Sequence, residues 1–122
     1  MKATIMTLAI VLMVMVSASL SYGDAVVGRW ATLAPCINDM QVNANHTIHQ
    51  WQACYEDPCY TINEYDGTWQ KMSKGLYQVV IQGRVIYVIA KGKTATDTDN
   101  GTWYKNISLN ALKSIIEGMQ CP

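Results

Sequence analysis

Apolar and polar residues alternate along most of the chain after residue 24, with the period of two that is typical of half-buried β-strands. Glycine, proline and asparagine interrupt this pattern and divide it into segments of strand length. We predict strands at residues 25–33, 46–54, 59–65, 68–72, 76–82, 85–91 and 102–107. Because most of the connections are short, the pattern predicts a small antiparallel β-meander, either barrel-like or a curved sheet.

Two neighbouring segments, LYQVVIQ and VIYVIAK, carry apolar residues on both faces. We expect this pair to lie centrally in the sheet and to be covered on both sides. Asp66-Gly67 and Asn100-Gly101 are dipeptides typical of type I′ turns, and a predicted strand follows each of them. Both are therefore predicted to be hairpin turns.

The period becomes that of a helix near the end of the chain, in the sequence SLNALKSIIEGM. The apolar residues at helical spacing are Leu109, Leu112, Ile115, Ile116 and Met119. Ser108 stands where an N-cap residue is expected, and Gly118 stands where the helix would end. The predicted fold class is therefore mainly β, with one C-terminal amphipathic helix.

The first residues have the plan of a secretory signal peptide. Lys2 supplies a positive charge, residues 5–16 form a continuous apolar run, and small residues follow. The run is too short to span a bilayer comfortably, which favours a cleaved signal over the alternative of a permanent anchor. We expect residues 1–23 to be removed and residues 24–122 to form a single secreted, extracellular β-rich domain without a membrane span.

The chain has four cysteines, Cys36, Cys54, Cys59 and Cys121. An even number in a small exported chain predicts two disulfides. Pairing Cys54 with Cys59 would align two strands so that their apolar residues share one face and Gln50 and Gln52 lie on the other, as in a half-buried hairpin. This favours Cys54–Cys59 and Cys36–Cys121, although the other two connectivities remain open.

Three N-x-S/T sequons, at Asn45, Asn100 and Asn106, predict N-glycosylation of an exported chain. Asn100 lies in a predicted tight turn and Asn45 precedes a strand, so both are expected to be accessible. Asn106 lies near the junction of strand and helix, where crowding would hinder its modification.

The distribution of charge along the sequence indicates no particular charged partner. Residues 24–122 contain eight Lys or Arg against nine Asp or Glu, with no basic block along the sequence. The sequence therefore gives no electrostatic reason to expect nucleic acid or an anionic membrane as a partner.

Few residues have the spacing that catalysis or metal binding needs. His46 and His49 are three residues apart on a predicted strand, which directs them to opposite faces. The chain has no nucleophile elbow, zinc-protease motif or phosphate-binding glycine loop. In DTDNG the aspartates occupy the wrong positions for an EF-hand. We therefore expect no enzyme activity, no cofactor and no metal.

The sequence VVGRW, at residues 26–30, contains a G-x-W at the start of the first predicted strand and resembles the lipocalin signature. In that calycin group the tryptophan closes one end of a meander barrel, and a helix follows the barrel. The resemblance implies that Trp30 closes such a barrel here. It also implies a carrier of a small apolar ligand. The ligand-binding residues of such a carrier would be Trp30 at the closed end of the cavity and alternate residues of the two apolar segments along its wall, namely Val79, Ile81, Ile86 and Val88.

The sequence favours a secreted, disulfide-bonded, N-glycosylated and non-catalytic protein that acts by binding or assembly outside the cell. Its partner would be an unknown extracellular protein or a matrix, including a mineralised one. The alternatives are a lipocalin-like carrier of a small apolar ligand and a secreted inhibitor or effector.

Overall fold

The computed structural model describes residues 23–99 and 101–122, so Asn100 and nearly all of the predicted signal peptide lie outside it. Eight antiparallel strands follow one another around a closed barrel, and the last strand pairs with the first. The strands are β1 (Gly28–Thr32), β2 (Ile37–Val42), β3 (Thr47–Glu56), β4 (Cys59–Ser73), β5 (Leu76–Ile81), β6 (Arg84–Lys91), β7 (Thr94–Asp97) and β8 (Thr102–Lys105). The helix α1 (Asn110–Glu117) follows, which confirms the predicted fold class.

Two strands, β2 and β7, were absent from the sequence prediction. In β2 the polar Asn38 points into the barrel and Asp39 is buried on its outer side, so the strand lacks a clear apolar face. β7 is only four residues long and contains two threonines. Neither strand has enough apolar alternation to be recognised without its neighbours.

The predicted turn at Asp66-Gly67 is wrong, because β4 runs through it without interruption. Gly67 lies in β4 beside Val80 and Ile81, at the end of β5. A Cβ atom at Gly67 would lie 2.8 Å from the Cβ of Ile81 and would also collide with the carbonyl oxygen of Val80. The glycine therefore permits close strand packing and does not form a hairpin turn.

Large side chains fill the middle of the barrel and one of its ends. This core consists of Val26, Trp30, Met40, Val42, Ile48, Trp69, Tyr77, Val79, Ile81, Val88, Ala90, Ala95 and Trp103. The central strands β5 and β6 contribute only their inner face to it. Their outer face carries the exposed Val80, Val85, Tyr87 and Ile89, so the prediction that this pair is covered on both sides is wrong.

The helix α1 packs on the outer side of the barrel, against β2, β3 and β4. Leu112 and Ile116 contact a small second core that includes Trp51 and Ala53. The expected N-cap at Ser108 is wrong, since Leu109 occupies the cap position and no side chain caps the helix. Ile115 is 61% exposed, so the buried stripe of the helix is narrower than predicted. No helix among the described residues is long and apolar enough to cross a membrane.

A buried carboxylate ties α1 to the barrel. Asp39 is 6% exposed and accepts hydrogen bonds from Arg29, at 2.9 and 2.6 Å, and from Lys113 of α1, at 3.2 Å. Burial by itself would raise the pKa of Asp39, but the hydrogen bonds and charges of the two cations lower it further than burial raises it. The pKa of Asp39 therefore lies below its ordinary value, as expected for a structural ion pair.

All four cysteines form disulfides, but the favoured pairing is wrong. Cys36 bonds to Cys54 and Cys59 bonds to Cys121. In the hairpin Cys54 lies opposite Thr61, so the register differs by two residues from the one that a Cys54–Cys59 bond would need. A register shift of two residues leaves each side chain on the same face of the sheet. The predicted division of the hairpin into an apolar and a polar face is therefore correct although the predicted disulfide is wrong. Two disulfides are typical of a protein that matures in an oxidising compartment.

Candidate binding cavity at the open end of the barrel

The two ends of the barrel differ. At the closed end Trp30 is fully buried and donates its indole N–H to the carbonyl of Val26, at 2.8 Å. The Nζ atom of Lys105 lies 5.3 Å from the centre of the Trp30 ring and donates to the carbonyl of Ala25, at 3.2 Å. The residues that precede β1 are thereby held against Trp30 and Lys105 at this end.

Only the position of Lys105 in the alternation along β8 indicates that its side chain points inward. It lies two residues after the buried Trp103 and therefore points to the same side of β8. A lysine at an inward position would normally be unfavourable, but its aliphatic stem can pack on the aromatic ring while the ammonium reaches a carbonyl.

At the opposite, open end, a cavity of about 260 Å³ extends into the barrel. Its apolar lining comprises Met40, Ile48, Val79, Ile81, Ile86 and Trp103. The volume exceeds the roughly 150 Å³ that can hold benzene and is below the roughly 300–1,000 Å³ of sites for drug-sized ligands. The cavity therefore has the size for a ligand with one ring or a short chain.

A chain of side-chain amides crosses the mouth of this cavity. Gln82 donates to Gln50, Gln50 donates to Asn38, and Asn38 donates to the hydroxyl of Thr32, each at 2.7 Å. Gln50 is 7% exposed, and it uses only one of its two N–H groups in this chain. The mouth thus offers hydrogen-bonding groups that remain free to contact a ligand.

The predicted division of β3 into an apolar face and a polar face is therefore correct, but the polar face lies inside the barrel and the apolar face lies outside. Gln50 and Gln52 line the cavity inside the barrel, while Trp51 and Ala53 point outward and are covered by α1. The helix shields part of the outer surface of the barrel from water, whereas the open end admits water to part of the inner surface.

Acidic residues at the rim are occupied by structural contacts. Asp97 accepts hydrogen bonds from the backbone N–H groups of Asp99 and Gly101 and from the indole N–H of Trp103. Asp99 forms an ion pair with Arg84, at 2.6 Å. These contacts occupy both carboxylates with partners inside the protein. In the described part of the chain, no group of three or more His, Cys, Asp or Glu side chains is placed to hold a metal ion.

The structure brings together three of the five predicted ligand-binding residues. Val79, Ile81 and Ile86 line the cavity, as alternation along β5 and β6 predicts. Val88 and Trp30 are fully buried in the packed core and are not part of the lining, because side chains fill the barrel below the cavity. The amides of Asn38 and Gln50 were missed, since the sequence did not show which faces of β2 and β3 lie inside the barrel.

The two histidines lie outside the cavity and have different partners. His46 stacks on Trp69, with ring centres 4.4 Å apart. On the outer surface, His49 hydrogen bonds to Asp66, at 2.7 Å, and to Glu64, at 2.9 Å. The hydrogen bonds to Asp66 and then Glu64 raise the pKa of His49 above its ordinary value.

Two of the three sequons can be placed on the surface. Asn45 and Asn106 are both exposed, so the crowding expected at Asn106 is not found. Asn100 lies outside the described residues. Glycan attachment at these positions stays a prediction.

Comparisons with models of protein families, with curated proteins and with solved structures find no match to this chain. The closed barrel of eight antiparallel strands is compatible with the lipocalin-like fold that the G-x-W sequence implies. Because one fold can support many functions, the cavity and its lining, and not the barrel itself, bear on the function.

Proposed function

We propose that the protein is a secreted, non-catalytic binding protein that holds a small, largely apolar ligand in the open end of its barrel. The observation that supports this function is the cavity of about 260 Å³, which has an apolar floor and an amide-lined mouth. Concave, mostly apolar sites with a few polar groups are the usual form of small-molecule sites.

The lining favours a ligand with one apolar part and one hydrogen-bonding group. Its apolar part would contact Trp103, Ile86 and Val79 in the interior. Its polar group would meet the free N–H of Gln50 or the amide of Gln82 at the mouth. A purely apolar ligand would leave the remaining N–H of Gln50 without a partner in a partly dry site, and this lowers the affinity of such a ligand.

The absence of catalysis is part of the proposal. All four cysteines are held in disulfides, so none can act as a thiolate nucleophile. The described lining of the cavity contains no histidine, and its two carboxylates are engaged by Arg84, Trp103 and backbone N–H groups. The composition of the lining therefore supports a binding function and not a catalytic one.

Export and glycosylation also belong to the proposal, supported by the two disulfides and by the exposure of Asn45 and Asn106. Mass spectrometry of the native protein without reduction tests them together. We expect a processed chain that begins at Asp24, with both disulfides intact and glycan mass on at least one sequon. A native chain with its leader intact and no glycan would contradict this part.

The binding proposal is tested with p-cresol, which has one ring and one hydroxyl group, by isothermal titration calorimetry. We expect saturable binding that is at least about tenfold weaker in Ile86→Trp, because the larger ring fills the cavity. Ile89→Trp is the matched control, since Ile89 lies on the outer face of the same strand. Equal affinity of both variants, or no binding of p-cresol and of a series of short-chain alcohols, would refute the cavity as a ligand site.

Assembly in an extracellular matrix is the second candidate function. The observation that favours it is the exposed apolar outer face of β5 and β6, at Val80, Val85, Tyr87 and Ile89, because such patches often mark contact surfaces. Sedimentation velocity over a range of concentrations tests it. We expect self-association that Val85→Ser weakens, whereas a monomer at every concentration would remove this candidate.

A further inference from the structure

Lysines that are separated in the sequence meet at the closed end of the barrel. Lys74 lies in the turn between β4 and β5, Lys91 ends β6, and Lys93 lies in the turn between β6 and β7. All three are exposed, and none forms an ion pair with a carboxylate of the described residues. We refer to Lys74, Lys91 and Lys93 as the lysine rim.

Backbone hydrogen bonds show that the rim is continuous. The N–H of Ala90, next to Lys91, donates to the carbonyl of Gly75, next to Lys74, at 2.9 Å. Lys91 lies opposite Thr94 in the ladder between β6 and β7, which places Lys93 in the turn beside it. The three lysines therefore occupy neighbouring positions on one edge of the molecule.

Exposed apolar side chains adjoin this rim. Met72 is 48% exposed and Ile89 is 58% exposed, and the half-buried Leu76 lies directly opposite Ile89 in the strand ladder. Ile89 and Lys91 are two residues apart and share the outer face of β6. We refer to Met72, Leu76 and Ile89 as the apolar corner.

Carboxylates are concentrated away from this surface. Glu56, Asp57, Asp97 and Asp99 lie at the open end, and Asp39, Glu64, Asp66 and Glu117 lie on the outer side of β2 and β4 or on α1. Asp24 is the described carboxylate at the closed end, and it is paired with Lys71 at 3.5 Å. A domain that is nearly neutral as a whole therefore presents a positive, partly apolar edge.

We infer that the lysine rim and the apolar corner together form a docking surface for anionic phospholipid membranes. Each lysine near an anionic bilayer contributes about a fivefold factor in affinity. Apolar side chains beside such lysines enter the boundary between headgroups and acyl chains, where their exposed area leaves water. A soluble anionic polysaccharide would engage the lysines alone and leave the apolar corner in water, so lipid is the partner that fits both features.

This inference goes beyond the proposed ligand binding and does not depend on it. Docking through the closed end would leave the open end, and the cavity in it, facing the solution. The protein would then bind its small ligand while attached to a membrane surface.

The first test measures co-sedimentation of the processed, disulfide-bonded protein with vesicles. We expect binding to vesicles of equal parts phosphatidylserine and phosphatidylcholine, weakening with added salt, and no binding to phosphatidylcholine alone. The triple variant Lys74→Gln, Lys91→Gln and Lys93→Gln should bind about a hundredfold more weakly. No binding of the unchanged protein to the anionic vesicles would overturn the inference.

A charge-matched control separates the lysine rim from net charge. The variant Asn63→Asp, Ala111→Glu and Gln120→Glu makes the same change in net charge at exposed positions outside the closed end. We expect it to bind the anionic vesicles nearly as well as the unchanged protein. An equal loss in both triple variants would show that net charge, and not this surface, determines binding.

The apolar corner distinguishes lipid from a soluble polyanion. Met72→Ser with Ile89→Ser should weaken vesicle binding about tenfold and leave retention on immobilised heparin unchanged. Vesicle binding that is unaffected by these two substitutions, or retention on heparin without any vesicle binding, would identify a polyanion surface and overturn the lipid assignment. Circular dichroism of each variant checks that the barrel remains folded.

Discussion

Gly67 is a residue whose missing side chain is required by the packing of two strands. Gly67→Ala should lower the free energy of unfolding by about 1–3 kcal/mol, because its Cβ would press against Ile81 and the backbone of Val80. Urea denaturation measures this. Gly118→Ala is the control, since a Cβ there makes only ordinary contact, 3.4 Å from the carbonyl of Ile115. Equal effects of the two substitutions would show that Gly67 has no special packing role.

His49 should make stability depend on pH. Because its pKa is raised in the folded state, its contribution is fully present below its ordinary pKa and is lost as pH rises through the raised pKa. His49→Gln should therefore cost less than about 1 kcal/mol near pH 5, since solvent screens this half-exposed ion pair, and almost nothing near pH 9. Denaturation curves at both values test this, and an equal loss at both would point to packing instead of charge.

At the scale of elements, the two disulfides hold different parts of the barrel. Cys59–Cys121 joins the start of β4 to the chain after α1, across 62 residues, whereas Cys36–Cys54 joins β3 to the connection before β2, across 18. Replacing both cysteines of a pair with serine should cost about 4 kcal/mol for the long connection and about 3 kcal/mol for the short one. Thermal unfolding of the two double variants shows which disulfide contributes more to stability. The reverse order would mean that loop entropy does not govern their effect.

The attachment of α1 depends on a buried ion pair. Asp39→Asn should cost about 1–3 kcal/mol, because a buried carboxylate loses its charged hydrogen bonds to Arg29 and Lys113, which both stay partly exposed to water. This loss of stability should be complete at pH values above the ordinary pKa of an aspartate, and it should disappear as pH falls through the lowered pKa of Asp39. Faster amide exchange in α1 would accompany it.

The control for this substitution is Glu117→Gln, which removes a carboxylate from an exposed position on α1 itself. We expect it to change stability by less than about 0.5 kcal/mol. If Asp39→Asn leaves both stability and amide exchange in α1 at the level of this control, the ion pair does not hold the helix on the barrel.

At the scale of the whole molecule, the two ends of the barrel have separate roles. The cavity lies at the open end, and the lysine rim lies at the closed end. The packed core between them should keep the two sites independent. We therefore expect Ile86→Trp to change vesicle affinity by no more than about twofold, and the triple lysine variant to change p-cresol affinity by no more than about twofold.

Titration of Ile86→Trp with anionic vesicles, and of the triple lysine variant with p-cresol, measures this independence. A change of more than about fivefold in either direction would lie well outside the additivity expected of distant sites. It would show that the core transmits a structural change between the two ends.

Part of the candidate site followed from local pattern. The period of two along β5 and β6 placed Val79, Ile81 and Ile86 on one face, and the structure turns this face into the barrel, although the residues between them are apolar as well. The shared face follows from neighbouring residues alone, whereas Val88 lies on the same face but within the packed core, which the local pattern does not show. The amides of Asn38 and Gln50 could not be found in this way, since a polar residue at a barrel mouth has the same local pattern as one in solvent.

The sequence by itself determined the strand-rich character, the C-terminal helix and the presence of two disulfides, because periodicity and cysteine number are properties of the chain. Only the tertiary structure decided which face of β3 is inside, which cysteines are bonded and where the lysines gather. Each of these depends on the closure of β8 onto β1 and on the position of α1 against β2 to β4. Closure brings together residues that are far apart in sequence, and no local pattern records which of them will meet.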